Sequence, residues 1–481
     1  MKKPHPFWKM FNKKAFLSLL LCLALCLCSC GLIVVNDRTG EGEETKDGPD
    51  VTLPEETDGS GPGEGTADKS RILFNKAIEA LGAVSVPDLA GLHFVIAGTD
   101  SVFFDGDGSE NLLNADRIAR NKALGEKFNA TLTFRSYTPE ELRREVEAAY
   151  KSGGFFADVL ALEAEDIGLF ATEGLLENLR SIKGFDLEAE YFDQGSVKAL
   201  SAGHEVWGVS GDGCFDGDKM YAMFMNKTLA GDMADRIYTA VSEGKWTLDM
   251  YNACVLEAEA EEINPLAYSG KLPSHALLMS TGYKYLITDI DTTPVPNTYG
   301  GKLYELAEKI FPVVRAAAEY DGDMSMTLFM TGPLSVYKEL YTGNVGILPC
   351  PKLDTDSEYI TYSPDETVLC IPKDSVSCDV GAKFITCFNM ASKDYIVYDY
   401  LYTSVLDTVR DRGSVESLKI ITSGVNWDFA TMISSGYRTL YTNTLVAFEK
   451  MQRGEISSDA YEEGREAFEE YLLKWFPALY D

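Results

Sequence analysis

The folded part of the chain alternates short apolar runs with amphipathic helices. A first short helix is predicted over residues 71–81 and ends before Pro87. Beyond it, apolar runs of strand length lie at 92–97, 130–134 and 155–162, and amphipathic helices are predicted at 116–127, 139–151 and 164–172, with Asp116 as a possible N-cap. Strand alternating with helix is typical of a mostly parallel sheet with both faces covered, so the sequence predicts an α/β fold.

The middle of the chain carries two short strands separated by a loop rich in glycine and aspartate. Residues 206–210 and 220–225 have the aromatic and branched residues of strands, whereas 211–218 mixes three glycines with three aspartates. Strand–helix alternation occurs on both sides of this loop. We interpret residues 204–227 as a crossover between two α/β lobes, with a ligand cleft between them.

The N-terminus is typical of an export signal. Five lysines precede an apolar run at 15–27, and this run is too short to span a bilayer. Residues 27–30, Leu-Cys-Ser-Cys, resemble the lipobox of bacterial lipoproteins, which implies cleavage before Cys30 and lipidation of that residue. Residues 1–29 are therefore predicted to be a signal peptide, and the mature chain to be held on the extracellular face of the cell membrane by its lipid anchor only. An ordinary cleaved signal with incidental cysteines is the alternative.

The segment that follows has a different composition. Glycine, glutamate, aspartate, threonine and proline dominate from about residue 35, and residues 35–70 contain no aromatic residue. Such a segment buries too little apolar surface to offset its ordering entropy. Residues 30–70 are predicted to form a flexible acidic tether.

The charge of the chain limits its partners. The net charge is −32, and residues 1–29 hold five of the 43 basic residues but none of the 75 acidic ones. The exported part is therefore still more acidic than the whole. It repels nucleic acid and anionic membrane surfaces, so neither is expected as a partner.

Cysteine and histidine give no sign of a metal centre. The ten cysteines include no Cys-x-x-Cys pair and the four histidines are scattered, which argues against zinc. Acids alternate from Asp105 to Asp107 as in a calcium loop, but Glu110 stands where glycine is required, so calcium is left open there. No cofactor is expected. Disulfide pairing is left open for the six cysteines outside the signal: Cys214, Cys254, Cys350, Cys370, Cys378 and Cys387.

Seven stretches, in order along the chain, resemble segments of bacterial extracellular solute-binding proteins, the substrate-binding lipoproteins of ABC transporters, in their sugar-type family 1. Residues 157–179 are similar to the family's Ala-Asp-Val-Val segment, 220–227 to its strand ending in an aromatic, Asn and Lys, and 346–352 to its Gly-x-x-Pro-x-Pro strand. The other four lie at 117–134, 245–251, 367–373 and 410–421.

The resemblance implies a periplasmic-binding-protein-like (type II) fold, in which two α/β lobes close on a ligand about a hinge. Lobe one is then residues 71–210 and 353–391. Lobe two is 211–352 and 392–481, and it includes C-terminal helices predicted at 443–454 and 458–476. The resemblance also implies a monomeric protein without enzymatic activity that captures a small solute, expected to be a carbohydrate or oligosaccharide, and delivers it to an ABC permease.

Nine residues are candidates for contact with the solute, because sugars are bound by polar groups and an aromatic face. They are Thr99, Asp100 and Glu163 after strands of lobe one, Trp207 and Asp212 in the crossover, Tyr221, Thr331 and Ser335 in lobe two, and Trp427 near the C-terminal lobe boundary. Residues 331–335 open a predicted helix whose N–H groups are expected to face the cleft. Leu334 stands where maltose-type binders carry tryptophan, which argues against maltose-like stacking at that position.

Each candidate has a structural alternative, and two other functions stay open. Trp207 and Tyr221 lie in predicted strands and suit core aromatics, whereas the acids suit solvated turns. A secreted lipoprotein glycoside hydrolase needs only two carboxylates at a set separation. A surface adhesion or interaction lipoprotein needs an exposed aromatic patch away from the cleft.

Overall fold

The computed structural model describes residues 64–99, 102–105, 108, 110–288, 294–297, 301–314, 317–340, 344–373, 375, 377–405, 409, 411–432, 463 and 466. All of them belong to one compact unit, residues 54–481. The predicted signal peptide, Cys30, Asp100 and the helix predicted at 443–454 lie outside the described residues, and the helix predicted at 458–476 is described only at Glu463 and Glu466, both helical.

The strands of the described residues are β1 (His93–Gly98), β2 (Thr131–Ser136), β3 (Val159–Glu163), β4 (Ser201–Ala202), β5 (Glu205–Val206), β6 (Tyr221–Asn226), β7 (Asn264–Tyr268), β8 (Leu286–Ile287), β9 (Val295–Pro296), β10 (Ala318–Glu319), β11 (Thr327–Pro333), β12 (Val345–Leu348) and β13 (Thr367–Cys370).

The helices are α1 (Glu64–Ala80), α2 (Val102–Asp105), α3 (Leu112–Phe128), α4 (Pro139–Ser152), α5 (Ile167–Thr172), α6 (Gln194–Ala199), α7 (Lys227–Ala230), α8 (Asp232–Ser242), α9 (Leu248–Ala260), α10 (Pro273–Ser280), α11 (Gly301–Val314), α12 (Tyr337–Leu340), α13 (Cys378–Met390), α14 (Tyr395–Asp399), α15 (Arg412–Ile421) and α16 (Phe429–Met432).

The first sheet has the strand order β13-β3-β1-β2. Strands β1, β2 and β3 are parallel, with Gly98 opposite both Ser136 and Ala161, as the predicted alternation of strand and helix requires. Strand β13 returns from far along the chain and pairs antiparallel with β3, so that Thr367 lies opposite Glu163. The carboxyl ends of β1 to β3 and the amino end of β13 therefore share one edge of the sheet.

The second sheet has the order β10-β7-β11-β6-β12. Strand β6 is antiparallel to both β11 and β12, whereas β7 is parallel to β11. Pro333 at the end of β11 lies opposite Tyr221 at the start of β6. The Tyr221 N–H donates to the Tyr362 carbonyl at 2.9 Å, which brings the chain that leads to β13 against this sheet. Each sheet, with its helices, forms one α/β lobe.

The crossover from the first sheet to the second differs from its prediction. Residues 206–210 do not form one strand, because β5 ends at Val206 in a hairpin with β4. Val209 instead makes an isolated bridge to Leu369, with backbone hydrogen bonds of 3.1 and 2.9 Å in the two directions. Two 3₁₀ turns, Asp212–Cys214 and Gly217–Lys219, then carry the chain to β6.

The start of α4 matches its prediction, and α9 has a cap that is equally local. Thr138 and Glu141 form a capping box at the start of α4. The Thr247 side chain accepts a hydrogen bond from the Met250 N–H and caps α9. The adjacent Trp246 is fully buried and donates from Nε1 to the Pro349 carbonyl at 2.9 Å, so it packs in the core.

Other element starts were predicted wrongly. Helix α3 begins at Leu112 with Asn111 as its N-cap, so Asp116 lies inside the helix and does not cap it. Helix α1 begins at Glu64 and not at residue 71, so the last residues assigned to the tether are helical. Strand β3 begins at Val159, four residues after its predicted start, because its pairing with β1 begins only there.

The described residues can be examined for membrane-spanning helices and for disulfide bonds. Within them, no helix is both long and apolar enough to cross a bilayer. The six cysteines whose pairing was left open are all free thiols, and five of the six are buried. They pack as small apolar side chains.

Candidate functional site

A cavity of about 430 Å³ lies beside the crossover. Five parts of the chain line it: residues 190–195 up to the start of α6, crossover residues between 210 and 220, Glu366 just before β13, Val397 of α14, and residues 422–427 between α15 and α16. Helix α15 packs on the second sheet, where the Ile347 N–H donates to the Ser414 hydroxyl at 2.8 Å. The cavity therefore lies between the two lobes. A larger hollow of about 520 Å³, between α3 and β2, is lined by the first lobe alone.

Asp193 and Trp427 connect two walls of the cavity. The Trp427 indole N–H donates to Asp193 Oδ2 at 3.0 Å. Asp193 Oδ1 accepts from the Ser196 N–H, also at 3.0 Å, and so caps α6. A Cβ at Gly195 would come within 3.0 Å of indole Cδ1, so this glycine lets the backbone approach the ring. The indole is thus held in one orientation at the cavity wall.

Asp212 forms the part of the wall that comes from the crossover. Its Oδ2 accepts a hydrogen bond from the Asp394 N–H at 2.6 Å, which joins the crossover to the start of α14. Burial raises the pKa of Asp212 to about 6, although the hydrogen bond from Asp394 opposes the shift. This carboxyl is therefore mostly ionised at neutral pH and takes up a proton in mild acid.

Glu366 lies at the base of the cavity, and its side chain is 4% exposed. Its carbonyl accepts from the Ala164 N–H at 2.8 Å, which fixes it beside the end of β3. Burial raises the pKa of its carboxyl to about 8, and the Ser363 hydroxyl only partly offsets this. Oε1 of Glu366 is buried and has no hydrogen-bond partner among the described residues.

A second group of charges surrounds Glu163, at the same edge of the first sheet. Burial raises the pKa of Glu163, whereas Lys219 of the crossover lowers it and Asp365 raises it. Asp365 in turn forms an ion pair with Lys271 of the second lobe at 3.7 Å. Both side chains of that pair are well exposed, so it is worth little energy but marks where the two lobes meet.

The structure brings some of the nine predicted contacts together. Asp212 and Trp427 both line the cavity. Glu163 lies next to it through the pairing of β3 with β13. Thr99 is half-buried just beyond β1, at the same edge of the sheet. Asp100 lies outside the described residues.

The remaining four predicted contacts do not line the cavity. Trp207 and Tyr221 are each 4% exposed and pack in the core, and the Tyr221 hydroxyl accepts from the Lys271 N–H at 2.6 Å. Thr331 is fully buried in β11, and Ser335 is exposed. The helix predicted to open there is only a 3₁₀ turn, Leu334–Val336, followed by the single turn α12.

Sequence reasoning missed Asp193 and Glu366. Asp193 has a local signal, since an aspartate three residues before Ser196 suits a helix N-cap. Glu366 precedes an apolar run that the sequence identified, but only the antiparallel pairing of β13 with β3 places it at the cavity. That pairing joins residues about 200 positions apart and has no local signature.

The site combines an indole with several carboxyls from different segments. Such a set suits hydrogen bonding to hydroxyl or amine groups and packing on an apolar face. Within the described part of the chain, no group of three or more histidine, cysteine, aspartate or glutamate side chains is arranged to hold a metal ion.

Known structures share this fold. No protein-family model and no curated protein matches the sequence. The chain is similar to the galacto-N-biose-/lacto-N-biose I-binding protein of the ABC transporter from Bifidobacterium longum in complex with lacto-N-biose, with a TM-score of 0.52 and 12% identity over 81% of this chain and 99% of that one. It is also similar to the cyclic alpha-maltosyl-1,6-maltose binding protein from Arthrobacter globiformis, with a TM-score of 0.53 and 13% identity over 79% and 99%.

A third structure, a family 1 extracellular solute-binding protein from Bifidobacterium longum subsp. infantis, has a TM-score of 0.52 and 10% identity over 79% of this chain and 100% of that one. At these identities the likeness concerns the fold. It confirms the predicted fold class, the two-lobed α/β fold of periplasmic solute-binding proteins.

Proposed function

We propose that this chain is an extracellular solute-binding protein that captures a small carbohydrate between its lobes. The observation that carries the proposal is the cavity of about 430 Å³, walled by an indole and by carboxyls from separate segments. Its volume falls in the range of small-ligand pockets, roughly 300–1,000 Å³. The shared fold with structures named as sugar- or solute-binding proteins supports the same function.

Capture is proposed to involve closure of the lobes about the crossover. The 3₁₀ turns of the crossover and the segment before α14 connect the lobes, and the Asp212–Asp394 hydrogen bond ties these two connections together. The hydrogen bond between Asp193 and Trp427 already connects two walls of the cavity, and closure would bring these walls against the solute. Hinge closure of this kind needs few residues to change their backbone angles.

Anchoring and delivery belong to the same proposal. The lipobox-like sequence that ends at Cys30 supports a lipid anchor on the outer face of the membrane. From there the captured solute would pass to an ABC permease encoded by another chain. Thr99, Asp100, Glu163, Asp212 and Trp427 remain the proposed ligand contacts from the predicted set, and Asp193 and Glu366 are added to them.

A thermal-shift screen of the full chain tests the proposal. The probes are monosaccharides, oligosaccharides, peptides and amino acids, and we expect only carbohydrates to stabilise the protein. A ligand at a hundredfold excess over Kd adds about 2.7 kcal/mol to the free energy of unfolding. Stabilisation by peptides or amino acids alone would contradict the carbohydrate assignment. Release of reducing ends from a bound oligosaccharide would instead favour a glycoside hydrolase.

A further inference from the structure

Four acids line the cavity, and three of them are already engaged within the protein. Glu190 forms an ion pair with Lys393 at 3.0 Å. Asp193 accepts hydrogen bonds from Ser196 and from the Trp427 indole, and Asp212 accepts one from Asp394. Glu366 differs, because its buried Oε1 has no hydrogen-bond partner among the described residues. A buried carboxyl oxygen left without a partner is destabilising, and a donor on the ligand would relieve that cost.

The charge around the cavity is one-sided. The described lining residues include these four acids and no lysine, arginine or histidine. Other charged groups also act on Glu366: Asp216, which does not line the cavity, and Asp193, which does, both raise its pKa, and Lys219 lowers it. Across the β3–β13 pairing lies Glu163, another acid. An anionic ligand would meet repulsion from most of these groups, whereas a cationic ligand would be attracted.

We propose that Glu366 binds a positively charged amine of the ligand, so that the cavity selects an amino sugar with a free amine over a neutral sugar of the same shape. This inference rests on the proposed function, since it specifies which carbohydrate the cavity takes. An ammonium group carries three donors and a full charge, which matches a carboxylate removed from water. A hydroxyl supplies one donor and no charge, so it does not balance the negative charge of the carboxyls that line the cavity.

Amine binding at Glu366 predicts a linked proton release. Burial holds the Glu366 pKa near 8, so the carboxyl of the empty cavity is mostly protonated at pH 6 to 7.5. An ammonium ligand favours the carboxylate and expels that proton. Amine affinity should therefore rise with pH across this window, by up to about tenfold per pH unit. A neutral sugar leaves the proton in place, and its affinity should stay level.

Titration calorimetry of the full chain with matched probes tests the inference. The probes are glucosamine against glucose, galactosamine against galactose, and the free-amine β-1,4-glucosamine disaccharide against cellobiose. At pH 7.5 we expect at least one amine to bind about tenfold or more tighter than its hydroxyl partner. Titrations in two buffers of different ionisation enthalpy should count close to one proton released per bound amine at pH 6.5.

Two variants separate the effect of the Glu366 carboxyl from the effect of removing any acid near the cavity. Glu366→Gln keeps the shape of the side chain and should abolish both the preference for the amine and its pH dependence. Asp365→Asn removes a neighbouring acid that is about 40% exposed and does not line the cavity, and it should keep both. Melting curves establish that each variant is folded.

The outcomes are distinct. A neutral sugar that binds as tightly as its amine partner, or an amine that binds without releasing a proton, would overturn the inference and leave the proposed function standing. If no carbohydrate in this set or in the thermal-shift screen binds, the proposed function falls, and the inference falls with it.

Discussion

At the scale of single residues, the structure places some of the predicted ligand contacts at the cavity and others in the core. Asp212 and Trp427 were predictable because each follows a recognisable boundary, a glycine-rich loop in one case and a late family-like segment in the other. Trp207 and Tyr221 have the same residue types as a sugar platform, but both are buried in the core. Glu366 was hidden, because its surroundings come from β3 and the crossover and not from its own neighbours in sequence.

The buried carboxyl of Glu366 makes a prediction about stability and pH. Its folded-state pKa, about 8, lies above the ordinary value of 4.5, so the folded state holds this proton more tightly than the unfolded state. The contribution of Glu366 to stability is therefore full below pH 4.5 and falls as the pH rises to about 8. Glu366→Gln removes this loss, so the variant should gain on the wild type by on the order of 2–4 kcal/mol between pH 4.5 and 8.

Urea denaturation at several pH values measures this difference. The contributions of other titrating groups, such as Asp212, cancel when the variant is compared with the wild type at each pH. Asp365→Asn serves as the control and should show no comparable trend, because its carboxyl is exposed. Parallel stability profiles for the wild type and Glu366→Gln would show that the carboxyl titrates normally.

At the scale of elements, residues close in sequence determine some features of the fold, and pairing between distant strands determines others. The strand-then-helix order of the first lobe was predicted from the pattern of neighbouring residues. The capping box of α4 and the Thr247 cap of α9 likewise depend only on residues close together in the sequence. The start of β3 and the break at β5 were not, because partner strands far away in sequence decide them. The place of β13 at the cavity edge depends on the same kind of pairing.

The crossover depends on glycine for packing. A Cβ added to Gly213 would clash with the Phe388 ring of α13, with nothing flexible to move aside. Gly213→Ala should therefore lower the free energy of unfolding by about 1–3 kcal/mol, as overpacking does in other cores. Gly82→Ala is the matched control, since a Cβ there meets nothing within 4 Å, and it should change stability by less than about 0.5 kcal/mol. Equal melting temperatures for the two variants would contradict this account of the crossover.

At the scale of the whole molecule, helix α1 is where the predicted tether enters the fold. The Ser70 hydroxyl donates to Asp116 of α3 at 3.3 Å, and the Phe74 ring packs edge-on against Tyr395 of α14 at 5.2 Å between centroids. Helix α1 thus contacts one helix of the first lobe and the helix that follows the last connection between the lobes.

The lipid anchor itself is a prediction about Cys30. Replacing the acylated residue should release the exported protein, because an acidic chain has no attraction of its own for an anionic membrane. Cys30→Ala cells should shed the protein into the medium, whereas Cys28→Ala cells, altered two residues earlier, should retain it. Fractionation of cells with metabolic labelling by a fatty acid measures both. Persistent membrane association of Cys30→Ala without label would refute the anchor.

The central claim is that the cavity between the lobes binds a carbohydrate, and titration calorimetry with Trp427→Ala tests it most directly. The titrant is the best carbohydrate from the thermal-shift screen. Truncating the indole removes a cavity wall and the hydrogen bond to Asp193, so Kd should rise roughly 10- to 100-fold. Trp246→Phe changes a buried tryptophan far from the cavity lining, and it should lower the melting temperature while leaving Kd unchanged. An unchanged Kd for folded Trp427→Ala would contradict the claim.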